Sequence, residues 1–188
     1  MRILLISFWF PRTNKVRAVR VGNLAKYLLQ AGHDIRVLAG PEIDDLTLPL
    51  DVPADLVIRP PVNACANGQA PAHPSAAAKP LRRLMRSRNS GLEIALQRHY
   101  RALRHFPDKR IGWLGRALAD GRGLLATWRP DPMIASSPPC TGLIVAKRLS
   151  RESGIPWVAE LRDPWANNPY NTTSSRLGGC SAIVFWNA

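Results

Sequence analysis

Two hydrophobic rhythms alternate along this chain. Ile3 to Phe8 is a nearly unbroken apolar stretch of strand length, closed by Pro11. A strand that is apolar on both sides belongs in the interior of a parallel sheet. From Val16 the period changes to that of a helix. Val16, Val19, Leu24, Tyr27, Leu28 and Ala31 fall on the expected inward side, and Gly32 is the expected stop. Asp34 to Gly40 then reads as a second strand. Strand, helix, glycine and strand in this order make a βαβ unit, whose right-handed crossover opens a doubly wound sheet.

The alternation weakens and then returns. A short third strand is predicted at Asp55 to Arg59, ended by Pro60-Pro61. Residues 60–80 are rich in Pro, Ala and Asn and read as a loop. Leu81 to Arg104 is basic, and Asn89-Ser90-Gly91 splits it into two short amphipathic helices. Ile111, Leu114, Leu118, Leu125 and Trp128 mark one face of a further helix that ends before Pro130. Pro132 to Ser136 is predicted as a strand. Pro139 to Ser153 follows as a helix with Leu143, Ala146 and Leu149 inward and Gly154 as its cap. Ile155 to Leu161 completes the set as another strand. The expected fold class is α/β, a three-layer sandwich around a mostly parallel sheet of about five or six strands. The tail 171–188 is atypical. Its Ala182 to Trp186 leaves two readings open, a last edge strand or a truncation point.

Composition narrows the class without naming a function. The 188 residues are 46% apolar and 21% charged, ordinary values for a domain with a real core. A disordered chain, a collagen, a coiled coil and a disulfide scaffold are thereby excluded. The net charge of +13 is not ordinary, and 21 of the 26 basic residues are arginine. Part of that is the Arg-, Ala- and Pro-rich signature of a GC-rich genome. The remainder points to polyanionic surroundings such as phosphates, nucleic acid or an anionic membrane face. Cys65, Cys140 and Cys180 stand far apart with no C-x-x-C pair, which fits a reducing compartment. The apolar N-terminus lacks a small-x-small cleavage site and reads as a buried strand rather than a signal peptide.

Ligands of doubly wound sheets bind beyond the carboxyl ends of the strands, and three polar clusters fall there. In Pro11 to Arg17, with Arg20 one turn into the helix, Arg17 and Arg20 are candidates for phosphate or carboxylate contact. This loop has no glycine, so it is neither a Walker loop nor a G-x-G-x-x-G fingerprint. The second cluster is Ser136-Ser137-Pro138-Pro139-Cys140-Thr141. Ser136 and Ser137 there suit a sugar hydroxyl or phosphate oxygen, while plain N-capping by Ser137 accounts for it equally well. Cys140 has no neighbouring His to activate it as a nucleophile. Glu160-Leu161-Arg162-Asp163-Pro164-Trp165, followed by Asn167 and Asn168, is the densest polar group. Asp163 and Glu160 are the candidate catalytic carboxylates, Arg162 and Trp165 the candidate substrate contacts, and a structural Arg–carboxylate pin is the competing reading. His33, His73, His99 and His105 have no metal-ligand spacing, so no metal site is expected.

In order, these segments resemble the N-terminal domain of bacterial glycosyltransferases of the GT-B fold, and more closely glycosyltransferase family 4. The likeness rests on the apolar first strand with its Pro-containing loop and on the helix bearing Leu24-Ala25-Lys26-Tyr27-Leu28. It continues through Ala31-Gly32-His33-Asp34-Ile35-Arg36-Val37-Leu38, Ser136-Ser137-Pro138-Pro139, and Arg162-Asp163-Pro164-Trp165. The resemblance covers residues 1–170. It implies a Rossmann-like domain, one half of a GT-B fold, that shapes the acceptor side. It also implies sugar transfer from a nucleotide-sugar co-substrate to a lipid-linked or saccharide acceptor in cell-envelope polysaccharide synthesis, with no resident cofactor or structural metal. Arg12-Thr13-Asn14-Lys15 departs from the glycines that relatives commonly carry in the first loop. The resemblance further implies a C-terminal donor-binding domain that this sequence does not contain, and hence a half-enzyme expected to be inactive alone.

Two other readings remain at this level. One is a basic Rossmann-like module for an anionic membrane surface or nucleic acid, although no nucleic-acid motif or interleaved aromatic platform is present. The other is a regulatory protein that completes its site with a partner. Residues 79–129 hold thirteen basic side chains against Glu93, Asp108 and Asp120, with an apolar stripe of Leu81, Leu84, Met85, Leu92, Leu96 and Leu103. A basic amphipathic element of this kind suits peripheral binding to the inner face of the plasma membrane. The expected location is therefore cytoplasmic, at or near that membrane.

Overall fold

The computed structural model describes residues 1–43, 46–61 and 108–162. The helices expected within 81–104, most of the proline-rich loop, Asp163, Trp165 and the tail 171–188 lie outside the described residues.

Five strands, β1 (Arg2–Ser7), β2 (Asp34–Ala39), β3 (Val57–Ile58), β4 (Met133–Ser137) and β5 (Trp157–Leu161), form one sheet in the order β3-β2-β1-β4-β5. Every pairing is parallel. Among the described residues three helices accompany them: α1 (Val16–Gln30), α2 (Leu114–Thr127) and α3 (Thr141–Ser153). This is the expected α/β Rossmann-like sandwich. The third strand is shorter than predicted, because Ala54–Leu56 turn into a 3-10 helix and leave only Val57 and Ile58 to pair.

Alternation along β1 builds the three layers. Ile3 and Leu5, with Ile35, Val37 and Ala39 of β2, pack against Val21 and Ala25 of α1. Leu4 and Ile6, with Leu38, Met133 and Ala135, pack on the opposite face against Ala117 and Leu118 of α2 and Leu143, Val145, Ala146 and Leu149 of α3. Leu4, Leu5 and Ile6 are at most 1% exposed, which confirms a strand buried on both sides. Trp113, in the 3-10 turn Ile111–Trp113 ahead of α2, is the largest fully buried side chain and was not singled out by the periodicity.

The inward face expected for α1 is overturned in part: Leu24 and Leu28 do pack, half-buried, against the core. Its buried residues are Ala18, Val21, Gly22 and Ala25, whereas Val16, Val19 and Tyr27 are exposed. The reason is steric. Phe10 and Pro11 leave β1 and fill the space beneath α1, so the helix must meet them with small residues. A Cβ on Gly22 would come within 2.3 Å of Pro11 Cγ. By contrast α3 obeys its pattern, and Gly154 takes the left-handed conformation (φ 72°) that ends it.

β1 lies between β2 and β4, and the chain winds outward from it in both directions. The carboxyl ends of β1 and β4 therefore form a topological switch point, where the flanking loops diverge and open a crevice.

Candidate functional site

Ser136 of β4 and Glu160 of β5 are register partners, so their side chains lie side by side on the face that α1 covers. Arg20 reaches them from α1. Its Nη1 donates to Glu160 Oε1, and its Nη2 donates to Glu160 Oε2 at 2.7 Å and to Ser136 Oγ at 3.3 Å. Ser136 Oγ in turn donates to Glu160 Oε2 at 2.7 Å. The Glu160 carboxylate thus accepts three hydrogen bonds in a two-pronged, charge-assisted contact. Arg20 Nε is buried and makes no hydrogen bond. Three of the sequence-predicted residues, from three separated motifs, are brought together here.

Others are not. The Arg17 side chain is exposed and makes no hydrogen bond or ion pair among the described residues. Ser137 points to the other side of the sheet, where its Oγ lies 3.6 Å from Cys140 Sγ. Its carbonyl accepts the Arg162 N–H at 3.0 Å, which brings the Arg162 backbone to the end of β4. Asp163 and Trp165 lie just beyond the described residues.

Capping of α3 by Ser137 is also corrected. Cys140 is the N-cap and makes no side-chain cap bond, while the carboxylate that serves the helix start comes from Asp108. The Thr141 N–H donates to Asp108 Oδ2 at 2.7 Å, and the Thr141 hydroxyl lies 2.9 Å from both carboxylate oxygens. A further N–H, that of Arg110, donates to Asp108 Oδ1 at 2.7 Å. A carboxylate at a helix N-terminus satisfies free N–H groups and complements the helix dipole. The Ser137–Pro138 and Pro138–Pro139 bonds that lead into this helix are both cis. Burial pushes the Cys140 thiol up to about 12, with the Asp108 charge adding to the rise and the Ser137 hydroxyl opposing it. Such a thiol is not a nucleophile at neutral pH.

The loop after β1 is held from its other side by residues the sequence did not single out. Arg59 donates to the carbonyls of Pro11 and Gly40, pairs with Glu42 at 3.6 Å, and lies 5.7 Å from the Phe10 ring centroid. Burial draws the Arg59 guanidinium below its ordinary value; Glu42 works against this and Arg12 adds to it. Arg12, at φ 82°, pairs with the same Glu42 at 3.7 Å. Arg110 sits 4.9 Å from both the Phe8 and the Trp9 ring centroids, within cation–π range. Among the described residues of these loops, Arg12, Lys15, Arg17, Arg20, Arg59 and Arg110 outnumber Glu42, Asp108 and Glu160. The carboxyl edge is therefore suited to an anionic group.

A groove of about 660 Å³ opens at the opposite edge between Met1, Arg2, Asp34, Arg129, Asp131 and Pro156. Its polar groups are spent on closing the amino ends of the strands. The Arg2 N–H donates to Asp131 at 2.8 Å, and Trp128 Nε1 donates to Asp34 at 3.0 Å. Neither its position nor its chemistry marks it as the site. Among the described residues no group of three or more His, Cys, Asp or Glu is placed to hold a metal ion. No protein-family model matches the chain, and no curated protein matches it either.

Proposed function

We propose that this chain is the acceptor-side, Rossmann-like half of a GT-B fold glycosyltransferase similar to family 4. Its work would be to hold a lipid-linked or saccharide acceptor while a donor-binding domain presents a nucleotide sugar, in cell-envelope polysaccharide synthesis at the inner membrane face. One observation carries the reading. The Arg20–Ser136–Glu160 cluster joins the first helix, the Ser-Ser-Pro-Pro segment and the start of the Glu-Leu-Arg-Asp segment at the carboxyl ends of the strands. Those are the segments on which the family resemblance rests, and that edge is where doubly wound sheets take ligands.

In this reading Glu160 is a positioning residue. Its carboxylate already accepts bonds from Arg20 and Ser136, so it fixes the end of β5 against α1. Asp163, three residues further on, would take the proton of the acceptor hydroxyl as its oxygen attacks the anomeric carbon and the nucleoside diphosphate departs. Arg17, Arg162 and Trp165 would steer the phosphate and the sugar ring. The chain joined to a family donor-binding domain should then transfer sugar from a nucleotide sugar to a polyprenyl-phosphate-linked acceptor. Asp163→Asn should lower kcat by more than ~10²-fold, and Arg20→Ala should lower it less while raising the acceptor KM. Near-normal kcat in Asp163→Asn would demote that carboxylate to a structural role. Failure of the joined protein to use any common nucleotide sugar would overturn the transferase reading itself.

A further inference from the structure

Val21, Leu24, Leu28 and Leu29 of α1 pack on the core, but three other large apolar side chains of this helix are turned to solvent. Val16 is 79% exposed, Val19 42% and Tyr27 64%. At 3.6 residues per turn, these three share one arc of the helix with Asn23 and Gln30, both exposed. The arc lies opposite the buried Ala18, Val21, Gly22 and Ala25. No charge interrupts this stripe, yet cations border it on both sides. Lys26 flanks one side, Arg17 and Arg20 flank the other, and Arg12 and Lys15 precede the helix. No Asp or Glu occurs between Pro11 and His33. Acids that reach these cations come from elsewhere, among them Glu42 to Arg12 at 3.7 Å, Asp51 to Lys26 at 3.2 Å, and Glu160 to Arg20. The first two are exposed contacts, worth little in water and readily exchanged for another anion.

We infer that the outward stripe of α1 docks on an anionic lipid bilayer. Val16, Val19 and Tyr27 enter the boundary between headgroups and acyl chains, and the flanking Arg12, Lys15, Arg17 and Lys26 meet the phosphates. An uncharged apolar stripe between rows of cations is the chemistry of a helix that lies in a membrane interface. Two of the three apolar residues lie in the first turn, so contact is heaviest at the carboxyl edge, beside the Arg20 cluster. The inference extends the membrane part of the proposed function and uses none of its sugar chemistry. It assigns the contact to α1 rather than to residues 79–104.

Flotation of the full chain with phosphatidylcholine vesicles, with and without about 30 mol % phosphatidylglycerol, tests it. Binding should require the anionic lipid and fall between ~0.1 M and ~0.5 M salt. Val16→Ser combined with Val19→Ser should weaken it about tenfold, and Val16→Trp should strengthen it several-fold. Both positions are exposed, so circular dichroism of these variants should match the parent. Anionic-vesicle binding that neither substitution changes would overturn the α1 assignment and leave the membrane part of the function standing, held by another basic segment. Equal binding to neutral vesicles, or none to anionic ones, would overturn both. A dimer that the serine pair dissolves, with vesicle binding intact, would make the stripe a self-association face instead.

Discussion

Gly22→Ala separates helix propensity from the seat of α1. In an open helix this change gains about 1 kcal/mol. Here the new Cβ would stand 2.3 Å from Pro11 Cγ and 3.0 Å from Cδ, where carbon atoms settle at about 3.5–4.0 Å. Pro11 cannot swing aside, because its ring is fixed to a buried backbone that Arg59 also holds. The helix must back away by about an ångström, at an overpacking cost of roughly 1–3 kcal/mol. Arg20, two residues earlier, moves with it and strains its contact with Glu160. Set against the helix gain, the net expectation is a loss of up to ~2 kcal/mol, or at most about 4–8 °C in Tm for a chain of this size. Gly123→Ala in α2 is the matched control, since its Cβ meets nothing within 4 Å. That variant should gain ~0.5–1 kcal/mol. Urea unfolding of the three proteins, followed by circular dichroism, reads both effects. A Gly22→Ala protein at least as stable as the parent would refute the argument that small residues seat this helix.

Asp108→Ala should destabilise the fold by ~1–2 kcal/mol in urea unfolding, because the α3 N-terminus loses its carboxylate. Asp108→Asn should recover part of the loss, and an unchanged midpoint in the alanine variant would show that Asp108 does not anchor α3. Cys140, its thiol held up to about 12, should resist iodoacetamide in the native chain at pH 7–9 and react after unfolding, as read by mass spectrometry of its peptide. The folded chain keeps this thiol protonated between its unfolded value and about 12. The unfolded state releases that proton first, so the thiol's contribution to stability is intact at neutral pH and falls as pH rises through that window. Rapid native labelling at pH 7 would refute the burial argument.

Arg20 and Glu160 illustrate how the site was half legible. Both stood out as charged residues where loops leave buried elements, and both lie at the carboxyl edge. That they face each other, 140 residues apart, follows from the pairing of β4 with β5 and the angle of α1 across them. Local periodicity carries neither. Asp108 and Arg59 were missed for the same reason. Their partners, Thr141 and the carbonyls of Gly40 and Pro11, lie 33, 19 and 48 residues away. No local pattern distinguishes a carboxylate that caps a distant helix from one that faces water.

The sequence alone determined the parallel α/β architecture, since a strand apolar on both faces has no other home and right-handed crossovers limit its connections. It also determined the ends of two elements, because Gly32 at φ 81° and Gly154 at φ 72° occupy backbone regions that other residues rarely enter. For α3, whose inward residues are also its large apolar ones, it determined the buried face as well. Only the tertiary structure decided the face of α1 and the partners of Arg20, Arg59 and Asp108. Hydrophobic periodicity reports which side chains water disfavours, not the shape of the surface they will meet. Beneath α1 that surface is already filled by Phe10 and Pro11. The helix seats on Ala18, Val21, Gly22 and Ala25, and Val16, Val19 and Tyr27 are left facing out.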